Sequence, residues 1–144
     1  MEKITNENFN ESSEKNFIDM LIRKSAMAYL EGYNLGFTST EYLAAKKVEN
    51  DLWYNVVRPI YEKSELEELT VFFNYVVNIY NTYRDKDDEI SRAFIEATLD
   101  DMYNLAHRIV TKIGKRETYV DLDEKVEELV GKVRWCFLEQ IALF

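Results

Sequence analysis

The sequence predicts an all-α protein, a compact bundle of about five helices. Three observations carry this. Only 4 Gly and 1 Pro occur in 144 residues, too few for the tight turns of an all-β chain. Apolar residues recur at three- and four-residue spacing over long stretches, the period of a helix with a buried face. Ser or Thr stands three residues before Glu ahead of two such stretches, where each side chain can satisfy a free backbone donor at a helix start. With 47% hydrophobic residues the chain can build a core, and its length suits one domain, commonly about 100–150 residues.

Residues 1–11 are polar and read as a flexible N-terminal arm, leaving 12–144 as a single helical domain. The first helix covers about 13–33, with Ile18, Leu21, Ile22, Ser25, Ala26, Tyr29 and Tyr33 on one face. Gly32 or Gly36 can supply a left-handed stop. The second starts at Thr38, boxed by Glu41, and turns Tyr42, Ala45, Val48, Leu52, Trp53 and Val56 inward. Pro59 lacks a backbone donor, so this helix should end or kink between 57 and 63.

The third helix starts at Ser64, boxed by Glu67. Its line Leu66, Leu69, Phe73, Val76, Tyr80 and Tyr83 is the clearest stripe in the chain, with Phe72, Tyr75 and Ile79 beside it. A helix apolar on most sides is expected at the centre of the bundle. The fourth runs from about 89 to 113, with Ile90, Phe94, Ala97, Leu105 and Ile109 inward. Lys112, Gly114, Lys115 and Arg116 form a C-terminal signal of cations and Gly. The last helix, from about 121 to 144, has Val126, Leu129, Val130, Val133, Phe137, Ile141 and Phe144 on its inward line.

Composition narrows the function. The net charge of −9 argues against direct binding to nucleic acid or to an anionic membrane. No apolar run reaches the roughly 20 residues of a membrane span. The N-terminal stretch lacks the basic start and apolar run of a secretory signal, so a cytoplasmic location is expected, with Cys136 reduced. A single Cys excludes an intramolecular disulfide and a multi-cysteine zinc site.

Several groupings could carry chemistry. Asp85, Asp87, Glu89 and Glu96 match four positions of a calcium loop, but Ile90 stands where the sharp turn needs Gly. Glu65, Glu68, Glu96 and Asp100 resemble in spacing the acidic pairs that hold magnesium in all-α nucleotide pyrophosphatases. The second pair is four apart rather than three, and Glu96 and Asp100 project away from the expected core face, where metal ligands would have to converge inward. His107, the lone histidine, reads as a surface residue, and Cys136 as a buried structural thiol. Glu49 falls on the inward side of the second helix and needs a tyrosine or arginine partner, a place at the core margin, or a subunit interface. Gly131, Trp135, Leu138 and Ala142 make a second apolar line on the last helix, expected to pack within the bundle or at a partner or dimer interface.

No catalytic set, metal site or cofactor site emerges. The expected function is therefore that of a non-enzymatic interaction protein with a protein partner or a second copy of itself. Its acidic surface is Asp85, Asp87, Asp88, Glu89, Glu96, Asp100 and Asp101, suited to a basic groove on a partner that handles nucleic acid. Residue usage rich in Asn, Ile, Lys and Tyr makes a phage or mobile-element inhibitor of the anti-CRISPR kind the most specific expectation. The alternatives are the metal-dependent pyrophosphatase and a homo-oligomeric assembly subunit acting through Trp135.

Overall fold

The computed structural model describes residues 3–116, with side chains through Lys112. All regular structure among them is helical, so the protein is an all-α bundle. A short 3-10 turn, Phe9–Glu11, precedes α1 (Ser13–Leu35). Then come α2 (Thr40–Leu52), a π turn (Trp53–Val57), α3 (Arg58–Lys63), α4 (Leu66–Tyr83) and α5 (Glu89–Arg116). The helix expected over 121–144, with Gly131, Trp135, Leu138 and Ala142, lies outside the described residues.

The caps follow from local chemistry and correct the expected starts by one residue. Ser39, not Thr38, caps α2, its hydroxyl accepting from the Tyr42 backbone N–H at 3.1 Å. Gly36, not Gly32, stops α1, with φ 95° and ψ 148°, a positive-φ conformation outside the left-handed helical region. Ser64 donates its hydroxyl to the Ile60 carbonyl at 2.5 Å, closing α3. With Ser64 engaged, Glu65 becomes the cap of α4, and Glu68 returns a bond to the Glu65 backbone N–H at 3.0 Å. Asp88 caps α5, accepting from the Ser91 backbone N–H and hydroxyl, both at 2.8 Å.

Pro59 has an effect upstream of itself. It cannot donate to Asn55, and its ring crowds that carbonyl. The helix responds by widening: Arg58 N–H bonds back five residues to Trp53, the signature of a π turn. Thus α2, the π turn and α3 follow one another without a loop.

The core is built from Ile18, Ile22, Phe72, Val76, Leu99, Met102 and Leu105. Among the described residues the central elements are α1, which packs against α2 and α5, and α5, which packs against α1 and α4. This corrects the expectation for the Tyr-rich α4, where Phe73, Tyr75 and Ile79 stay half-buried. The large apolar side chains of α5 mark only part of its buried surface. Its buried faces include the small Ser91, Ala93, Ala97, Thr98 and Ala106, whereas Ile90 is exposed. Small residues let neighbouring helices approach on several sides.

The N-terminal arm also departs from expectation over residues 3–11. Phe9 is buried against Phe72 and Tyr75, with ring centroids at 5.8 and 4.9 Å. The Ile4 backbone N–H donates to Glu68 at 3.0 Å. A single aromatic in a polar stretch docks this segment on α4.

Candidate functional site

Helix α2 packs chiefly on α1, and none of its 13 residues is fully buried among the described residues. Between α2 and α5 this leaves a groove of about 380 Å³, floored by Leu21, Ile22 and Ser25 of α1 and Ala97 of α5. Glu49, Asn50, Trp53 and Tyr54 form one wall, and Asp100, Asp101, Tyr103 and Asn104 the other.

The groove contains partnered carboxylates in three settings. Glu49 is paired with Lys46 at 3.0 Å and is largely covered, so its partner is a lysine one turn back rather than a tyrosine or arginine. Asp100 accepts from the Tyr29 hydroxyl at 2.5 Å. Burial first, then this bond, drives the Tyr29 phenol far above its ordinary range, with Glu96 and Glu49 adding to it. Tyr29 therefore stays protonated and remains a donor.

Asp101 is 3% exposed and accepts from the Tyr61 hydroxyl at 2.9 and 3.2 Å. Burial pushes its carboxyl up to about 7, against the opposing pull of the Tyr61 bond and of Arg108. The Tyr61 phenol is itself raised well above its usual range by burial and by Asp101. Trp53 completes the cluster. The π turn sets its ring edge-on to Tyr61 at 5.7 Å, and the Arg108 guanidinium lies 5.4 Å from its centroid.

The expected acidic surface thus divides into three. Asp85, Asp87, Asp88 and Glu89 are exposed at the α4–α5 corner, just before Ile90, which is 56% exposed. Glu96 and Asp100 are half-buried, and both bear on the tyrosines of α1. Asp101 belongs to the interior and is no part of the surface. Glu96 and Asp100, expected to project away from the core, are half-buried because α5 is covered on more sides than its large apolar residues show.

The acidic residues of the pyrophosphatase alternative do not come together. Glu65 caps α4 and pairs with Lys3 at 2.7 Å, Glu68 binds the Ile4 N–H, and Asp100 faces Tyr29. Among the described residues no three His, Cys, Asp or Glu side chains are grouped to hold a metal ion. His107 is exposed on α5. Cys136 lies outside the described residues.

Sequence reasoning missed the pairing roles of Tyr29 and Tyr61. One signal was present in the adjacent Asp100 and Asp101. Neighbouring helix residues diverge by about 100°, so on a helix covered on most sides one of the two must enter the core and find a donor. Among the described residues no helix is long and apolar enough to cross a membrane. Comparison of the chain with protein families, curated proteins and solved structures gave no match.

Proposed function

We propose that the protein is a non-enzymatic interaction protein that engages a basic surface of another protein. The observation that carries this reading is the α4–α5 corner, where exposed Asp85, Asp87, Asp88 and Glu89, with Lys86 among them, immediately precede the exposed Ile90. An exposed apolar side chain next to a predominantly acidic segment suits an interface: the apolar group desolvates and the charges select a partner of opposite sign. Asp88 is committed locally as the cap of α5, and bonds from Ser91 hold its carboxyl below the usual range. Asp85 pairs with Arg84 at 3.8 Å, a weak, exposed contact, so Asp85, Asp87 and Glu89 are the groups that select the partner.

In its most specific form the partner is a host enzyme that handles nucleic acid, and the chain is a phage or mobile-element inhibitor covering its basic groove. The net charge of −9 and the Asn-, Ile-, Lys- and Tyr-rich usage support that form. The test is binding of the full chain to purified RNA-guided nucleases and other basic nucleic-acid enzymes, titrated with salt and with competing duplex DNA. Wild type should bind in competition with DNA and weaken as salt rises, and Asp85→Lys/Asp87→Lys/Glu89→Lys should bind at least about tenfold more weakly. Equal binding by wild type and the triple variant, or no binding to any basic enzyme, overturns the reading.

A further inference from the structure

We propose that the cavity between α1, α4 and α5 binds a small planar aromatic anion, an aryl carboxylate. The proposal does not depend on the acidic corner, none of whose carboxylates lines this cavity. The volume, about 420 Å³, falls within the range of roughly 300–1,000 Å³ usual for small-molecule pockets. Ile22 and Ile79 supply apolar surface, and Tyr75, Tyr83 and Phe94 supply rings. Tyr83 and Phe94 stack on each other, with centroids 4.6 Å apart and planes within 8°. Both are only half-buried, so part of the pair is open to a third ring. A planar aromatic ligand gains more from such surfaces, by offset stacking or edge contact, than a saturated one of the same size.

Charge decides the sign of the ligand. Two ionised side chains line the cavity, Asp19 and Arg23. Asp19 is already engaged: it accepts from Lys15 Nζ at 2.9 Å and from the Tyr75 hydroxyl. Arg23, one turn further along α1, is exposed, and its guanidinium has no ion-pair partner among the described residues. Its neighbours one turn away on α1 are Asp19, Met20, Ala26 and Met27, so no free carboxylate stands beside it on its own helix. With Lys15 balancing Asp19, Arg23 is the uncompensated charge of the lining. Its planar fork suits a carboxylate held through two parallel hydrogen bonds. A ring attached to that carboxylate would lie against Tyr83, Phe94 and Ile79. A cationic ligand would instead meet Arg23 with no free carboxylate to offset it.

The experiment titrates the full chain with three probes, followed residue by residue by NMR: naphthalene carboxylate, its neutral carboxamide, and decalin carboxylate, the saturated anion. Naphthalene carboxylate should bind and shift the resonances of Arg23, Tyr75, Tyr83 and Phe94. The carboxamide and the saturated acid should each bind at least about tenfold more weakly. Arg23→Gln, an exposed substitution that leaves the core intact, should weaken naphthalene carboxylate by about the same factor. Four results overturn the inference: no shift at these residues with the probe at millimolar concentration; equal binding of the carboxylate and the carboxamide; equal binding of the aromatic and the saturated acid; or an affinity that Arg23→Gln leaves unchanged. Shifts centred on Trp53, Tyr54 and Tyr103 would put the ligand in the α2–α5 groove and overturn it as well.

Discussion

Asp101 and Tyr61 are both buried, on different helices, and bonded to each other. A buried carboxyl is easier to keep neutral than charged. Its ordinary value of 3.8 is raised in the folded protein to about 7. The sign follows by linkage. The folded state holds this proton more tightly than the unfolded chain, so the contribution to stability is complete below about pH 4 and is lost as pH rises through about 7. Arg108 on the same helix and Tyr61 on α3 oppose the shift, while Asp100 and burial promote it. Asp101→Asn removes the titration but keeps an oxygen that can accept from Tyr61. The melting temperature of wild type should fall between pH 5 and pH 8 relative to this variant, by the equivalent of a few kcal/mol at most. Parallel melting curves across that range would show that Asp101 does not titrate there.

At the scale of the element, the α1–α2 connection concentrates its determinants in two residues. Gly36 holds φ at 95° and ψ at 148°, an extended positive-φ conformation nearly exclusive to glycine that costs an L-residue about 1–3 kcal/mol. Ser39 supplies the cap of α2, and loss of such a cap costs about 1 kcal/mol. Gly36→Ala and Ser39→Ala should each lower unfolding free energy by about that amount in denaturant titration, with no change in helical content. An unchanged midpoint for Gly36→Ala would mean that the turn relaxes to a different backbone. This connection also shows how far the sequence could be read. Periodicity and Gly/Ser punctuation located the helices, but Thr38 and Ser39 are adjacent and chemically interchangeable as caps. Which one acts depends on where the chain leaves Gly36, and that is set by packing. Ser64 and Glu65 repeat the pattern: the serine was recognised, but its hydroxyl turned to the preceding helix. The π turn was half legible, because Pro59 announces a broken ladder without saying whether the helix ends, bends or widens. The groove itself was not legible, since it depends on the distance between α2 and α5.

Across the whole molecule, burial is distributed unequally. Helix α5 touches α1 and α4 and buries side chains on several faces, while α2 leans on α1 and buries none fully among the described residues. Large apolar residues identify a helix with a buried face. Small residues between them identify the helix that others surround, and on this count α5 outranks α4. The inequality has a dynamic consequence. Local opening free energies range from near zero up to the global value, and elements with little buried apolar surface open first. Amides in the middle of α2, from Ala44 to Asn50, should therefore exchange with deuterium well before those from Leu99 to Leu105 in α5. Residue-resolved exchange on the full chain measures this directly. Equal protection of the two helices would show that α2 is covered in the free protein.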